Sequence, residues 1–246
     1  MLSLPQVTLL SIDTVSPEKT LRALEFSTRW VRFAEVVLLT DTTKHSIPAT
    51  IGYKVPVRVV HHTETDRMTP RLEAPWHPPL PYDYETAVMC EPSQHVKTPH
   101  FILQEWDSAV LNPEAWNPEW LRYDFIGAPW PPHHEPGYPE CDGVTNAVGN
   151  GGFSLRSIKF ARATRRAVEL FREDWEKHPS SDMWPARTCR KWLESQGVRF
   201  APPEVAARFS CENRVYCGQW GMHGRWTCEM NNWGGPFFGS IRPKQP

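Results

Sequence analysis

The chain lacks several of the signatures that settle a protein's class at once. No cationic leader precedes its first apolar segment, MLSLPQVTLL, and no apolar run approaches the roughly eighteen residues of a membrane span. The expectation is a soluble, cytoplasmic protein without a membrane span. There is no excess of positive charge: 27 Lys and Arg stand against 28 Asp and Glu, interspersed, for a formal net charge of −1. That excludes the basic stripe on which nucleic-acid binding rests. Neither GxGxxG nor GxxxxGK[ST] occurs, so a nucleotide, if bound, is not held by either glycine fingerprint. The six cysteines (Cys90, Cys141, Cys189, Cys211, Cys217, Cys228) are scattered, and without a leader they read as reduced thiols.

What the chain has is length, proline and tryptophan. At 246 residues it is long enough for one large α/β domain with a sizeable core. Its 12 tryptophans fit either core anchors or stacking platforms for a ligand.

The stretch around which the rest is organised is HFILQEWDSAVLN, His100 to Asn112, an apolar strand interrupted by two acids. In extended geometry Glu105 and Asp107, two positions apart, project from one face and converge. Adjacent carboxylates repel unless a cation, a positive side chain or a shared proton relieves them. A hard divalent ion that also takes phosphate oxygens is one such relief.

Upstream, Val7 to Ile12 reads as a buried strand ending in Asp13-Thr14. Ser16-Pro17-Glu18 supplies an N-cap, a proline at the first helical position and an early acid. A helix follows, then a strand from Glu35 to Asp41 and a third from Val55 to His61. Thr69 to Tyr84, rich in proline and aromatics, reads as a long loop, and Asp83 to Met89 as a short helix before the central strand. The order predicts a mostly parallel, Rossmann-like sheet flanked by helices, with ligands outside the carboxyl ends of the strands, where Asp13, Thr14 and Asp41 fall.

Downstream, Tyr123 to Gly127 is a strand, and Pro131 to Thr145, with His133 and His134, is a second long loop. In VGNGGFSLRS (Val148–Ser157), Asn150, Gly151 and Gly152 allow close backbone approach to a substrate, and Phe153 returns to a strand. Ile158 to Trp175 predicts one long amphipathic helix. Ser180-Ser181-Asp182 caps another, Met183 to Ser195, which Gly197 terminates. An acid at such a cap is fixed well enough to act as a general base. The tail holds Gly221-Met222-His223-Gly224, whose histidine sits between small residues.

Read together and in order, ILQEWDSAVLN, YDFIGAPW, VGNGGFSLRS, the Asp182 helix and GMHG resemble an uncharacterised glycosyltransferase-like family related to the GT-A fold nucleotide-sugar transferases. The likeness runs from about Val7 to His223. It implies a single GT-A-like domain over residues 1–246, a nucleotide-sugar half to about residue 112 and an acceptor half beyond it. It also implies that a nucleoside-diphosphate sugar and a carbohydrate or other hydroxyl acceptor are the partners. Its Asp-x-Asp element, which binds a divalent metal, commonly manganese with magnesium as the substitute, looks like Glu105-Trp106-Asp107, with Glu in the first position. His223 looks like the carboxyl-end histidine that completes the metal shell. Asn150, Gly151, Gly152 and Asp182 fall where donor sugar and acceptor are bordered, Asp182 as the base of an inverting course. Ser181 stands where some inverting members carry Glu, and a retaining course needs no base.

Three rivals stand beside this reading. Glu105 and Asp107 as a glycosidase pair lack a second acid across a cleft. A zinc-stabilised module of Cys211, Cys217, His223 and Cys228 lacks tight cysteine pairs. A catalytically inactive carbohydrate- or nucleotide-binding protein keeps the same fold.

Overall fold

Strands buried on both faces lose the polar–apolar alternation and become continuous apolar runs, and the first strand shows this from Val7 onward. The computed structural model describes residues 1–62, 84–130, 148–231 and 233. The expected loop from Thr69, the loop Pro131 to Thr145 with His133 and His134, and Cys141 lie outside the described residues.

In chain order, β1 (Leu2–Ile12) leads into α1 (Pro17–Thr28), β2 (Val31–Thr40), a short β3 (Thr50–Ile51) and β4 (Val55–His61). Helices α2 (Tyr84–Cys90) and α3 (Pro92–His95) precede β5 (His100–Gln104), β6 (Ser108–Val110) and β7 (Phe125–Ile126). Then come β8 (Phe153–Ser157), α4 (Ile158–Leu170) and α5 (Arg172–Lys177). A π-helical turn (Trp184–Thr188) leads to α6 (Arg190–Ser195), α7 (Pro203–Phe209), β9 (Ser210–Cys211), β10 (Gly221–His223) and α8 (Arg225–Met230).

Seven strands form one sheet in the order β3-β4-β2-β1-β5-β8-β7. The middle four, β4, β2, β1 and β5, are parallel, while β3 and β8 run against their neighbours. Because β7 is antiparallel to β8, it points along β5 again, so the sheet is mostly parallel, as expected for a GT-A-like α/β fold. The carboxyl ends of β1, β2, β4 and β5 lie along one edge. Registers pairing Leu10 with Leu103 and Leu10 with Val37 put Asp13, Asp41 and Glu105 on that edge together.

The stretch read as one interrupted strand is two strands of different sheets. β5 ends at Gln104; a turn, closed where Ser108 N donates to Glu105 O at 3.2 Å, redirects the chain into β6. There it joins a second sheet of order β6-β10-β9. Ser27 ties the junction to α1: its hydroxyl donates to Gln104 Oε1 at 2.7 Å and accepts from Val110 N at 3.0 Å.

Two helix expectations are also corrected. The run from Ile158 to Trp175 breaks at Phe171 (φ −114°, ψ 39°) into α4 and α5. The run from Met183 to Ser195 is a π-helical turn followed by α6, with Cys189 N bonded to Trp184 O at 2.8 Å, five residues back. Pro185 falls in the first turn, where its missing N–H costs no helical bond. Gly197, at φ +80°, ends α6 as the sequence predicted.

Among the described residues, Trp120, Trp184 and Trp220 are core anchors, at most 2% exposed. Trp120, Trp220, Phe153 and Phe209 pack with ring centroids 5.3–6.2 Å apart, which joins β8, α7 and the segment before β10.

Candidate metal centre

The turn between the two sheets carries the acids, and strand pairing delivers the histidine. Antiparallel pairing of β10 with β6 sets His223 opposite Ser108, one residue past Asp107. Gly224 N donates to Asp107 O at 3.0 Å and Arg225 N to Asp107 Oδ2 at 3.3 Å, which holds the two segments together beyond the ladder. His223 Nε2 then lies 3.2 Å from Glu105 Oε2 and 3.4 Å from Asp107 Oδ1. Each residue offers one ligand atom, and these atoms lie within 4.8 Å of one another; this is the group of that kind among the described residues.

The acids converge by a route other than the expected one. They lie in a turn rather than an extended strand, and the turn brings both carboxylates around the imidazole. Nδ1 of His223 faces Glu212 Oε1 at 3.1 Å, so a carboxylate orients the ring from behind and leaves Nε2 for the acids. Tyr84 Oη donates to Glu105 Oε1 at 2.6 Å. Asp107 Oδ1 is buried and has no hydrogen-bond partner. That oxygen faces the His223 ring at 3.4 Å, and the donor set of two carboxylates and an imidazole suits a divalent metal.

The electrostatics follow from carboxylates crowded around one imidazole. Burial pushes the His223 imidazole down, but the charges of Glu212 and Asp107 outweigh it and hold its pKa well above the ordinary value. Burial likewise opposes ionisation of Asp107, yet the facing His223 holds its carboxyl below the usual range. Burial holds the Glu212 carboxyl above it, against the lowering charge of His223. In effect a protonated His223 stands in for a cation between its acids.

The glycine segment completes the surroundings. Gly152 O accepts from Glu105 N at 2.9 Å, and a Cβ built on Gly152 would lie 2.1 Å from His223 Nε2, so only glycine fits beneath the imidazole. A Cβ on Gly151 would meet Arg156 Nη2 at 2.9 Å and Asp182 Cβ at 3.3 Å, which places Asp182 across the same loop from His223. Asn150, buried, accepts from Gly152 N through Oδ1 at 3.2 Å and shapes the loop. Asp182 Oδ1 accepts from Ser180 Oγ at 2.5 Å and from Met183 N at 2.6 Å, leaving Oδ2 without a hydrogen bond among the described residues.

Four neighbours went unselected in the sequence: Tyr84, Glu85, Arg156 and Glu212. Arg156, next to last in the VGNGGFSLRS run, is 1% exposed; Nε bonds Ser154 Oγ at 2.9 Å, Nη2 reaches Gly151 O at 3.4 Å, and Nη1 has no hydrogen-bond partner. Burial lowers its guanidinium to about 10, against the charges of Asp182, Glu105 and Glu85. Glu85 Oε2 accepts from Ser181 N at 2.6 Å, and burial with the nearby Asp182 pushes its carboxyl up to about 7. Glu85, Glu105, Asp107, Asp182 and Glu212 thus outnumber Arg156 and His223 among the described residues.

The remaining predicted residues sit on the same edge but outside this group. Both carboxylate oxygens of Asp13 are engaged, Oδ1 by Val15 N (2.9 Å) and Ser16 N (2.8 Å) and Oδ2 by Thr20 Oγ1 (2.6 Å). Asp13 therefore opens α1, and the expected cap, Ser16, makes no side-chain cap bond. Thr14 O meets His45 Nε2 at 3.0 Å; Asp41 accepts from Thr43 N at 3.0 Å and pairs with Lys44 at 3.1 Å. The cysteines of the zinc alternative do not assemble: Cys211 Sγ donates to Arg214 O at 3.3 Å, Cys217 is exposed, and His223 faces carboxylates on both nitrogens.

Comparison with known proteins adds a family and a distant structural similarity. A family model described as a protein of unknown function (DUF5672) matches residues 87–224, over half of the chain. No curated protein matches. Among solved structures, the glycosyltransferase GlyE of Streptococcus pneumoniae TIGR4 is similar at 9% identity and a TM-score of 0.43. The alignment covers 79% of this chain and 44% of that one, so the chain spans less than half the length of that neighbour. No helix among the described residues is long and apolar enough to cross a membrane.

Proposed function

The chain belongs to the DUF5672 family of proteins of unknown function, and we propose that it is a metal-dependent glycosyltransferase that moves a sugar from a nucleoside-diphosphate sugar to an acceptor hydroxyl. The observation that carries this reading is the convergence of Glu105, Asp107 and His223 at the carboxyl edge of parallel strands, with a buried Asp107 oxygen that makes no hydrogen bond and faces the His223 imidazole. Such an edge is where open α/β sheets take their ligands.

In this reading Asp107, Glu105 and His223 hold Mn2+ or Mg2+. The ion, when bound, supplies Lewis-acid neutralisation of the charge that builds on the departing diphosphate. The chain's own residues do the rest. Glu212 keeps the His223 ring oriented with Nε2 toward the acids. Gly151 and Gly152 let a substrate approach the backbone, and Asn150 holds their loop. Asp182, its Oδ1 fixed by Ser180 and Met183, takes the acceptor hydroxyl proton at Oδ2. The donor half of the site comes from residues up to about 112 and the acceptor half from those beyond, with Asp13, Thr14 and Asp41 bordering the nucleoside.

The test is Asp107→Ala, assayed for manganese-dependent nucleoside-diphosphate binding by thermal shift and for donor hydrolysis and transfer. Binding, hydrolysis and transfer should all be abolished with the fold intact, because the Gly224 N bond to the Asp107 carbonyl and the pairing of β10 with β6 do not depend on the carboxylate. Unchanged manganese-dependent activity would remove the metal assignment. Manganese and nucleotide binding by the wild type without turnover would select the inactive binding protein instead.

A further inference from the structure

Helix α2 enters the site with two consecutive polar side chains that no function above uses. Tyr84 Oη donates to Glu105 Oε1 at 2.6 Å, on the cation side. Glu85 Oε2, next in sequence, accepts from Ser181 N at 2.6 Å, on the acceptor side, one residue before Asp182. The two bonds reach residues 21 and 96 positions away in the chain.

We propose that Glu85 is a positioning residue for Asp182: it grips the Ser181 amide while Tyr84 grips Glu105, so one turn of α2 sets the spacing between the acceptor-side and cation-side carboxylates. The inference rests on the transferase reading for its consequence, though not for its geometry. Three features support it. The turn carrying Asp182 is otherwise held by bonds within itself, from Ser180 Oγ and Met183 N, and by Trp184 N and Ala186 N of the π-helical turn that follows it. Among the described residues, the Ser181–Glu85 bond is the hydrogen bond that ties it to an element distant in the chain. Ser181 is itself 6% exposed, so its amide without Glu85 would be a buried donor in search of a partner. Around Glu85 stand Asp182 and Ser181 from that turn, Glu105 from the end of β5, Arg156 from β8, and Tyr84 from its own helix. No metal ligand proposed here bonds to Glu85, so its substitution leaves Glu105, Asp107 and His223 in place.

The experiment compares Glu85→Ala and Glu85→Gln with the wild type in two readouts. The first is the Ser181 amide in a ¹H–¹⁵N NMR spectrum of the whole chain. In the wild type its proton should lie downfield and move as Glu85 titrates; in Glu85→Ala it should lose that shift, and in Glu85→Gln keep part of it without the pH movement. The second is transfer. Glu85→Ala should lower kcat by about tenfold or more, as expected when a reacting group is misplaced by a fraction of an ångström. Donor KM and the stoichiometry of manganese with nucleoside diphosphate should hold, and Glu85→Gln, which keeps an acceptor oxygen, should recover most of the rate. A Ser181 amide unmoved by Glu85→Ala, or a wild-type kcat in that variant, overturns the inference. Loss of manganese stoichiometry in both variants also overturns it, since the effect would then be one on the fold. A wild type that shows the amide shift but transfers no sugar upholds the positioning geometry and refutes the transferase reading alone.

Discussion

The contact most open to a quantitative test is Gly152 beneath His223. Gly152 has an ordinary negative-φ or extended backbone, so replacing it with alanine carries no conformational strain, and in open space the change would stabilise by ~0.4–1 kcal/mol through the unfolded chain. Here a Cβ would lie 2.1 Å from Nε2, 2.4 Å from Cε1 and 2.5 Å from Cδ2 of His223, inside any van der Waals distance. The ring cannot retreat freely, because Nδ1 is held by Glu212 and Nε2 by Glu105. Overpacking of this kind costs ~1–3 kcal/mol. Displacing the ring should also weaken manganese binding by at least the roughly 10–100-fold that loss of a ligand's supporting partner brings. The assay is a double-mutant cycle of Gly152→Ala, His223→Ala and both together, followed by urea unfolding and by manganese titration. In the His223→Ala background the methyl has room, so Gly152→Ala should become neutral or stabilising, and the two changes should couple by ~1–3 kcal/mol. Additive effects would refute the packing argument and, with it, the placement of the imidazole over the glycine loop.

Further expectations follow from charge. Without metal, His223 is protonated among Glu105, Asp107 and Glu212 with its folded pKa well above 6.5, so its stabilising contribution is complete below about pH 6.5 and is lost as pH rises through the folded value. Manganese needs Nε2 without its proton; affinity should therefore rise with pH, and binding should release about one proton, measured by calorimetry in buffers of different ionisation enthalpy. A pH-independent affinity with no proton release would locate the ion elsewhere. For Glu85 the sign is opposite in cause: a carboxyl raised from 4.5 to about 7 loses stability as pH climbs between those values, by ~3 kcal/mol at most. Glu85→Gln should flatten that slope in thermal melts between pH 5 and 8, and a slope equal to the wild type's would show that Glu85 is solvated.

Much of the scaffold was legible in the chain because its physics is local. The apolar runs at Val7–Ile12 and Val55–His61, and the proline at the start of α1, report strand burial and helix initiation within a few residues, and β1, β4 and α1 lie there. Helix interruption was less legible: one apolar face runs through Phe171, and only packing decides that the ladder breaks at that residue. The glycines of Val148–Ser157 marked a close approach, but not to what. Asp13, read from its position at a strand end, proved to have both oxygens engaged in opening α1.

By itself, the sequence determined that Glu105 and Asp107 follow an apolar strand, that a glycine segment and an Asp182 turn lie downstream, that opposite charges nearly balance, and that neither glycine fingerprint occurs. Only tertiary structure decided that the acids sit in a turn where one sheet hands over to another, and that β10 pairs with β6 so that His223 arrives between them. The same holds for Glu212 behind the imidazole and Glu85 at the Ser181 amide. The physical reason is range: burial and turn chemistry act between neighbours in sequence, whereas charge pairing acts through space, here between residues as many as 118 positions apart.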